Sequence, residues 1–272
     1  MRSSSRTTAL DRHLDSPAYE AVAAGYDLLT AGYEYGRWSR EIEVLARTCG
    51  LRGRRLLDVA CGTGTSFGWF LDHGYEVCAT DVSPAMVELA RAKAGGRARV
   101  EVADMRDPAG IGAFDLVTCL GDALNHLPDL AEAGRALAAM ATALAPGGLL
   151  ALDLNTLAAY AEVPSTIAED EARMVVWNGD AARIAAAGGS GVLAIDVFER
   201  EGALWRRSTA RHVHRHHPVD DVLGALPACG LELAALRGVA PGGRLEPYAG
   251  ESAHPKAMVI ATRKEAGMPF RP

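Results

Sequence analysis

The sequence predicts an α/β protein built on a seven-stranded, mostly parallel sheet with helices on both faces, and three patterns carry that expectation. Short apolar runs at residues 55–60, 76–80, 99–103, 114–120 and 149–154 read as fully buried strands. Segments with helical spacing separate most of them, which is the sequence signature of parallel βαβ units. From about residue 172 to 217 the pattern turns to strand-like stretches at 174–177, 192–198 and 204–213, the last two joined across Glu201-Gly202. A small antiparallel lid inserted after the fifth strand is therefore expected.

In chain order, residues 1–15 carry Ser, Thr and Arg but no apolar stretch and are expected to be a mobile tail. Residues 16–50 form a helical cap: Val22, Tyr26 and Leu29, then Ile42, Leu45 and Ala46, suit two amphipathic helices, with Gly32 and Gly36 marking the break. Residues 51–160 form the core. Within it Ser83-Pro84 gives an N-cap with proline in the first turn, followed by Met86, Leu89 and Ala90 as a buried face. Pro146-Gly147-Gly148 is expected to end an Ala-rich helix at 130–144 as a glycine C-cap. Residues 161–217 supply the lid, and 218–272 return to the sheet with a helix at 219–229 and strands at 231–239 and 257–262.

The chain has 272 residues, 49% hydrophobic and 23% charged, enough for one elaborated domain with a real core. A net charge of -6 supplies no basic stripe for a phosphate backbone, so nucleic acid is not expected as a partner. No run is long and apolar enough to predict a membrane span, and no membrane partner is expected. The five cysteines form no CxxC pair, which suits free thiols and a cytoplasmic setting. Lid edge strands could pair between two copies, so a homodimer is an expectation.

The chemistry enters at Leu56-Leu57-Asp58-Val59-Ala60-Cys61-Gly62-Thr63-Gly64, a buried strand running into a Gly-x-Gly turn and then a helix. Glycines there let backbone approach a ligand at the carboxyl end of the strand, where open α/β sheets bind ligands. Asp81 ends the next strand, placed to accept both ribose hydroxyls of an adenosine cofactor. A dinucleotide loop would need a third glycine at position 67, which is Phe67, and no GxxxxGK[ST] loop occurs.

These residues, with Asp81-Val82-Ser83-Pro84-Ala85-Met86, Ala103-Asp104-Met105 and Pro146-Gly147-Gly148, resemble the class I S-adenosylmethionine-dependent methyltransferases, in particular the small-molecule type with an N-terminal helical cap. The likeness runs from roughly residue 19 to 153 and implies a Rossmann-like core. It implies that Ala60, Gly62 and Gly64 face the methionine part of S-adenosyl-L-methionine, Asp81 the ribose, Val82 and Met86 the adenine face, and Asp104 and Met105 the adenine edge. Ala60 stands where the family often has glycine. The resemblance also implies a Tyr-Asp step in the cap closing over the cofactor, which selects Tyr26, with Trp38 as a second cover. Asp58 has two readings: orienting the cofactor's ammonium indirectly, or accepting loop N–H groups.

For the acceptor, the loop Cys119-Leu120-Gly121-Asp122-Ala123-Leu124-Asn125-His126-Leu127 follows the fourth strand, where the methyl should emerge. Leu120 is assigned to the cofactor side and Asn125 to the acceptor. His126 is the candidate catalytic base, because an imidazole titrates near neutrality; its bland reading is a packed or capping histidine. Histidines 212, 214 and 216 share one strand face, but no metal is expected, since structural ions want ligands converging from separate turns. His214 or Arg215 could meet an acidic substrate group, and Trp177 and Trp205 could wall the acceptor or fill the lid core. Methyl transfer to an N or O nucleophile of a small metabolite, plausibly in specialised metabolism, is the leading expectation. The alternatives are non-methylating sulfonium chemistry, such as cyclisation, and a catalytically silent cofactor-binding module.

Overall fold

The computed structural model describes residues 16–107, 112–161, 165–179 and 184–263; the tail expected at 1–15 lies outside them. Helices α1 (Ser16–Leu29) and α2 (Tyr35–Thr48) form the cap. The core follows as β1 (Arg55–Val59), α3 (Thr65–Asp72), β2 (Glu76–Asp81), α4 (Pro84–Ala94), β3 (Ala98–Val102), β4 (Phe114–Cys119), α5 (Leu130–Ala143) and β5 (Leu144–Asn155). After α6 (Leu157–Ala161) come the lid strands β6 (Thr166–Glu169), β7 (Arg173–Asn178), β8 (Ser190–Glu201) and β9 (Leu204–Arg215). The chain returns through α7 (Val219–Ala225), β10 (Leu231–Val239), β11 (Leu245–Pro247) and β12 (Lys256–Arg263).

The main sheet runs β11-β10-β12-β5-β4-β1-β2-β3, parallel from β5 to β3 and antiparallel in the other half. It has eight described strands rather than the expected seven, because the three-residue β11 pairs with the end of β10. Neighbouring residues of the buried strands feed opposite faces: Leu57 and Cys78 enter one core with Leu137 and Met140, while Leu56 and Val77 enter the other with Phe67, Phe70 and Val87. That two-sided burial explains why these strands read as continuous apolar runs. The order reverses between β1 and β4, and their carboxyl ends open the crevice where such sheets hold ligands.

Three local expectations are corrected. Helix α5 stops at Ala143 by Leu144 turning extended, and Pro146-Gly147-Gly148 lies inside β5, where the pairing with β4 slips between Phe114 and Leu116; it is not a glycine C-cap. Gly36 sits in the first turn of α2, leaving Gly32 in the break. The C-terminal helix ends at Ala225, and a short 3-10 turn, Pro227–Cys229, completes the expected span. Ser83 caps α4 as expected, its hydroxyl accepting the Met86 N–H at 3.3 Å with Pro84 behind it. The lid is a second sheet, β6-β7-β8-β9, whose inner face buries Val175, Leu193, Ile195, Val197 and Ala210 against Val22 of α1. Helix α1 is thus held between the lid and the core. Among the described residues no helix is long and apolar enough to cross a membrane.

Candidate active site

The β1–α3 loop turns sharply at three left-handed residues, Ala60 (φ 56), Gly62 (φ 54) and Gly64 (φ 85). Gly64 has no room for a side chain, because a Cβ there would lie 2.6 Å from the Phe67 ring and 3.2 Å from Ala90 backbone. At Gly62 a Cβ would meet only the Tyr26 ring edge, at 3.6 Å. Ala60 keeps a methyl in the same region, a strain of about 1–2 kcal/mol. Asp81 ties this loop to the next one: one carboxylate oxygen accepts the Gly62 N–H at 2.8 Å and the other the Ser83 N–H at 2.9 Å. Burial raises the Asp81 pKa, while those N–H bonds and nearby His126 oppose the shift. Each oxygen keeps acceptor capacity for a ribose hydroxyl.

The cleft in front of this loop is lined by Tyr26 and Tyr35 of the cap, loop residues 60–63 with Thr65 and Ser66, and Leu120. Among the described residues no lining side chain is itself cationic; Lys93 donates to the Thr63 and Thr65 hydroxyls at 2.8 and 2.9 Å and is paired with Asp27. Helix α1 is fastened across both loops. Glu20 accepts the Ser83 hydroxyl at 2.8 Å and the Ala85 N–H at 3.2 Å, and Asp27 accepts Thr63 at 2.5 Å and Lys93 at 2.6 Å.

Of the residues assigned to the cofactor, Tyr26, Ala60, Gly62 and Leu120 line the cleft, and Gly64 and Asp81 shape it. Asp58 is buried behind it, accepting hydroxyls of Ser66 at 2.5 Å and Thr118 at 2.6 Å, so it reaches the cleft only through Ser66. Burial lifts its pKa to about 6 despite those bonds. Trp38 packs into the core, and Tyr35, one turn earlier on α2, takes the cleft position. Met86 is also core, and Val82 is half-buried beside it. Asp104 holds Arg106 through both carboxylate oxygens, and Arg106 continues to Glu132; Met105 packs against the core. Tyr35, Thr63, Thr65 and Ser66 were not assigned from the sequence, although Thr63 lies within the glycine motif and Thr65 and Ser66 directly follow it.

The acceptor side is built where β4 ends. Gly121 and Asp122 (φ 56) turn the chain into a short 3-10 segment, Ala123–His126. Asn125 is a buried bracket, donating to the Arg215 carbonyl at 2.8 Å and accepting the Asn155 N–H at 2.9 Å, rather than an exposed substrate contact. It presents His126, whose Nε2 lies 2.9 Å from the Tyr19 hydroxyl of α1. The ring of His214 on β9 stands edge-on to His126 at 4.4 Å, and His212 lies 5.8 Å away. Arg215 donates to the Gly188 carbonyl at 3.3 Å, Trp177 packs on the lid core, and Trp205 is half exposed under Arg200.

Behind the histidines, Lys256 is partly buried between two carboxylates, 2.8 Å from Asp122 and 2.7 Å from Asp153. Burial alone would lower its pKa, but the two charges outweigh that and raise it. Burial pushes Asp122 up, and Lys256, His214 and His126 together bring it below the usual carboxylate range. Asp122, His126 and His214 each bring a polar side-chain atom within 4.8 Å of the others. Lys256 already meets the charge of Asp122 on Oδ1, while Oδ2 faces His214 Nδ1 at 3.7 Å.

The comparisons agree with this geometry. The profile of the methyltransferase domain family matches residues 56–148. YqeM of Bacillus subtilis, whose own name as a methyltransferase is provisional, is 30% identical over 225 residues, 79% of this chain and 87% of that protein. The structure of S-adenosylmethionine-bound CalS10, an amino pentose methyltransferase of Micromonospora echinaspora, superposes with a TM-score of 0.68 at 27% identity, over 89% of this chain and 95% of that one. The sugar N-methyltransferase KedS8 of a Streptoalloteichus species gives 0.72 at 27% identity, over 88% and 93%. A dTDP-3-amino-3,6-dideoxy-alpha-D-glucopyranose N,N-dimethyltransferase of Streptomyces fradiae is 31% identical over about half of each chain, 48% and 52%. With YqeM matched over most of both chains and the left-handed glycine loop in place, the chain belongs to the class I S-adenosylmethionine-dependent methyltransferases.

Proposed function

We propose that this enzyme methylates an amino group of a small, sugar-like metabolite. The observation that carries the reading is the Tyr19–His126 pair set beside Asp122 at the end of the donor cleft. S-adenosylmethionine, when bound, supplies an electrophilic methyl on a sulfonium. The chain's own residues then have three tasks: align the nucleophile, exclude water and take one proton.

An amine arrives at neutral pH largely as an ammonium ion. Losing that proton to a neutral imidazole makes it a nucleophile without further help. An aliphatic hydroxyl holds its proton far more tightly than an ammonium does, so an imidazole serves an amine more readily. Tyr19 fixes the His126 ring. The lid and α1 cover the site, as near-attack alignment requires. The amino-sugar relatives named above support the same acceptor class, and the involvement of CalS10 in calicheamicin biosynthesis supports a place in specialised metabolism.

The test is incubation of the enzyme with S-adenosylmethionine and a panel of free and dTDP-linked amino sugars, their hydroxyl analogues and phenols, read by mass spectrometry. N-methylated sugar with stoichiometric S-adenosylhomocysteine supports the reading. Methylation of hydroxyls alone would overturn the amine assignment, and methylthioadenosine in place of S-adenosylhomocysteine would mark non-methylating chemistry.

A further inference from the structure

We propose that Lys256 is a positioning residue for methyl transfer. Its ammonium holds Asp122 in the left-handed turn that presents His126, and it cancels carboxylate charge that the site histidines would otherwise feel. The inference rests on His126 standing in the acceptor wall, not on which acceptor is used.

The geometry begins with three strands. Lys256 opens β12, whose register sets it opposite Asn155 of β5, and Asp153 lies two residues back on that strand. Asp122 follows β4, the other neighbour of β5. The ammonium therefore joins three strand ends at one point, 2.8 Å from Asp122 Oδ1 and 2.7 Å from Asp153 Oδ2. The same Asp153 oxygen accepts the Asp122 N–H at 3.1 Å, so main chain and side chain of Asp122 are both fixed.

Fixing is needed because Asp122 has φ 56, a conformation non-glycine residues hold only when their surroundings over-determine it. Its carbonyl accepts the Asn125 N–H at 2.9 Å, closing the turn that ends at His126. Its second oxygen, Oδ2, faces His214 Nδ1 at 3.7 Å. A change at Lys256 is thus felt at His126 in two ways: through the turn that carries it and through the field of Asp122. The groups facing the two histidines include, among the described residues, Tyr19 on α1, Asp81 at the end of β2, His212 on β9, Tyr160 on α6 and Asp122 itself, and the two rings face each other.

The test is an NMR titration of the histidine ring protons in the full chain saturated with S-adenosylhomocysteine, with His126 and His214 assigned by their loss in single alanine variants. An opposite charge within about 4–6 Å moves such a group by about one unit or more. Lys256→Met should raise both midpoints by about that amount, because the bared Asp122 favours imidazolium. Asp122→Asn, which keeps the shape and tolerates the left-handed turn, should lower them, and the double variant should return them towards wild type. If Lys256→Met fails to fold, the Asp122→Asn shift still decides the matter. Midpoints unchanged in folded Asp122→Asn protein would overturn the proposal. Loss of activity on the amino-sugar panel with unchanged midpoints would count against it too, while unreactive amino sugars with shifted midpoints would refute only the acceptor reading.

Discussion

Replacing Gly62 and Gly64 by alanine should separate ligand binding from stability, although both lie in one turn. Both have positive φ, so each alanine pays the left-handed strain of about 1–2 kcal/mol. At Gly64 the new methyl also runs into Phe67 at 2.6 Å, and that ring is fully buried in the core beneath α3. Overpacking of this kind adds about 1–3 kcal/mol, for a total of about 2–5 kcal/mol. At about 2–4 °C per kcal/mol for a domain of this size, Gly64→Ala should melt several degrees below Gly62→Ala. Gly62→Ala meets only the edge of Tyr26 at 3.6 Å, but its methyl enters the cleft that holds the cofactor. Wild type at a hundredfold excess of S-adenosylhomocysteine over its Kd should gain about 2.7 kcal/mol, a shift of about 5–10 °C in scanning calorimetry. Gly62→Ala should lose most of that shift while keeping most of its basal stability. A Gly62→Ala protein less stable than Gly64→Ala, or one with an undiminished ligand shift, would refute the assignment of one glycine to the ligand and the other to packing.

Asp58 predicts a pH effect whose sign follows from its raised pKa. The folded protein holds the proton up to about pH 6, whereas the unfolded chain releases it near 3.8. Stability from this group is therefore complete below about pH 4 and falls, by up to about 3 kcal/mol, as pH rises to about 6. Urea unfolding across that range should show the slope in wild type and a flatter one in Asp58→Asn. Asp81→Ala should weaken S-adenosylhomocysteine binding by more than tenfold in calorimetric titration, because hydrogen bonds to a charged acceptor contribute about 1.5–3 kcal/mol. Lys93→Met should speed S-adenosylhomocysteine release only about two- to fivefold in stopped flow, since its pair with Asp27 is half exposed, and added salt should shrink the difference.

What could be read from the chain followed from proximity in sequence. The strand, glycine turn and helix of residues 56–72 form one local unit, and Ser83 caps α4 with its own neighbours, so motif and burial pattern agree. The cap motif singled out Tyr26, and the structure places its ring in the cleft near Gly62. Lys256 was not, because its partner Asp122 lies 134 residues away and nothing around Lys256 marks it as more than a strand start. Nor was Tyr19, because its partner His126 lies 107 residues away and nothing in the local sequence ties the two together. Trp38 and Tyr35 differ by one helical turn, and only the docking angle of α2 decides which ring faces the cleft. Strand β6 was overlooked because its four residues carry little apolar pattern and take their place from pairing with β7.

Helix α1 has one further consequence. Tyr26 touches the donor loop and Tyr19 the candidate base, and their rings meet edge to face at 6.1 Å. Seven residues of α-helix advance about 10 Å over almost two whole turns, which returns both side chains to one face. The helix thus acts as a ruler between the two ends of the reaction, graduated in residues. Inserting a single alanine between Tyr19 and Tyr26 would turn one mark about 100° away from the other, so each end could remain intact while the two no longer shared a scale.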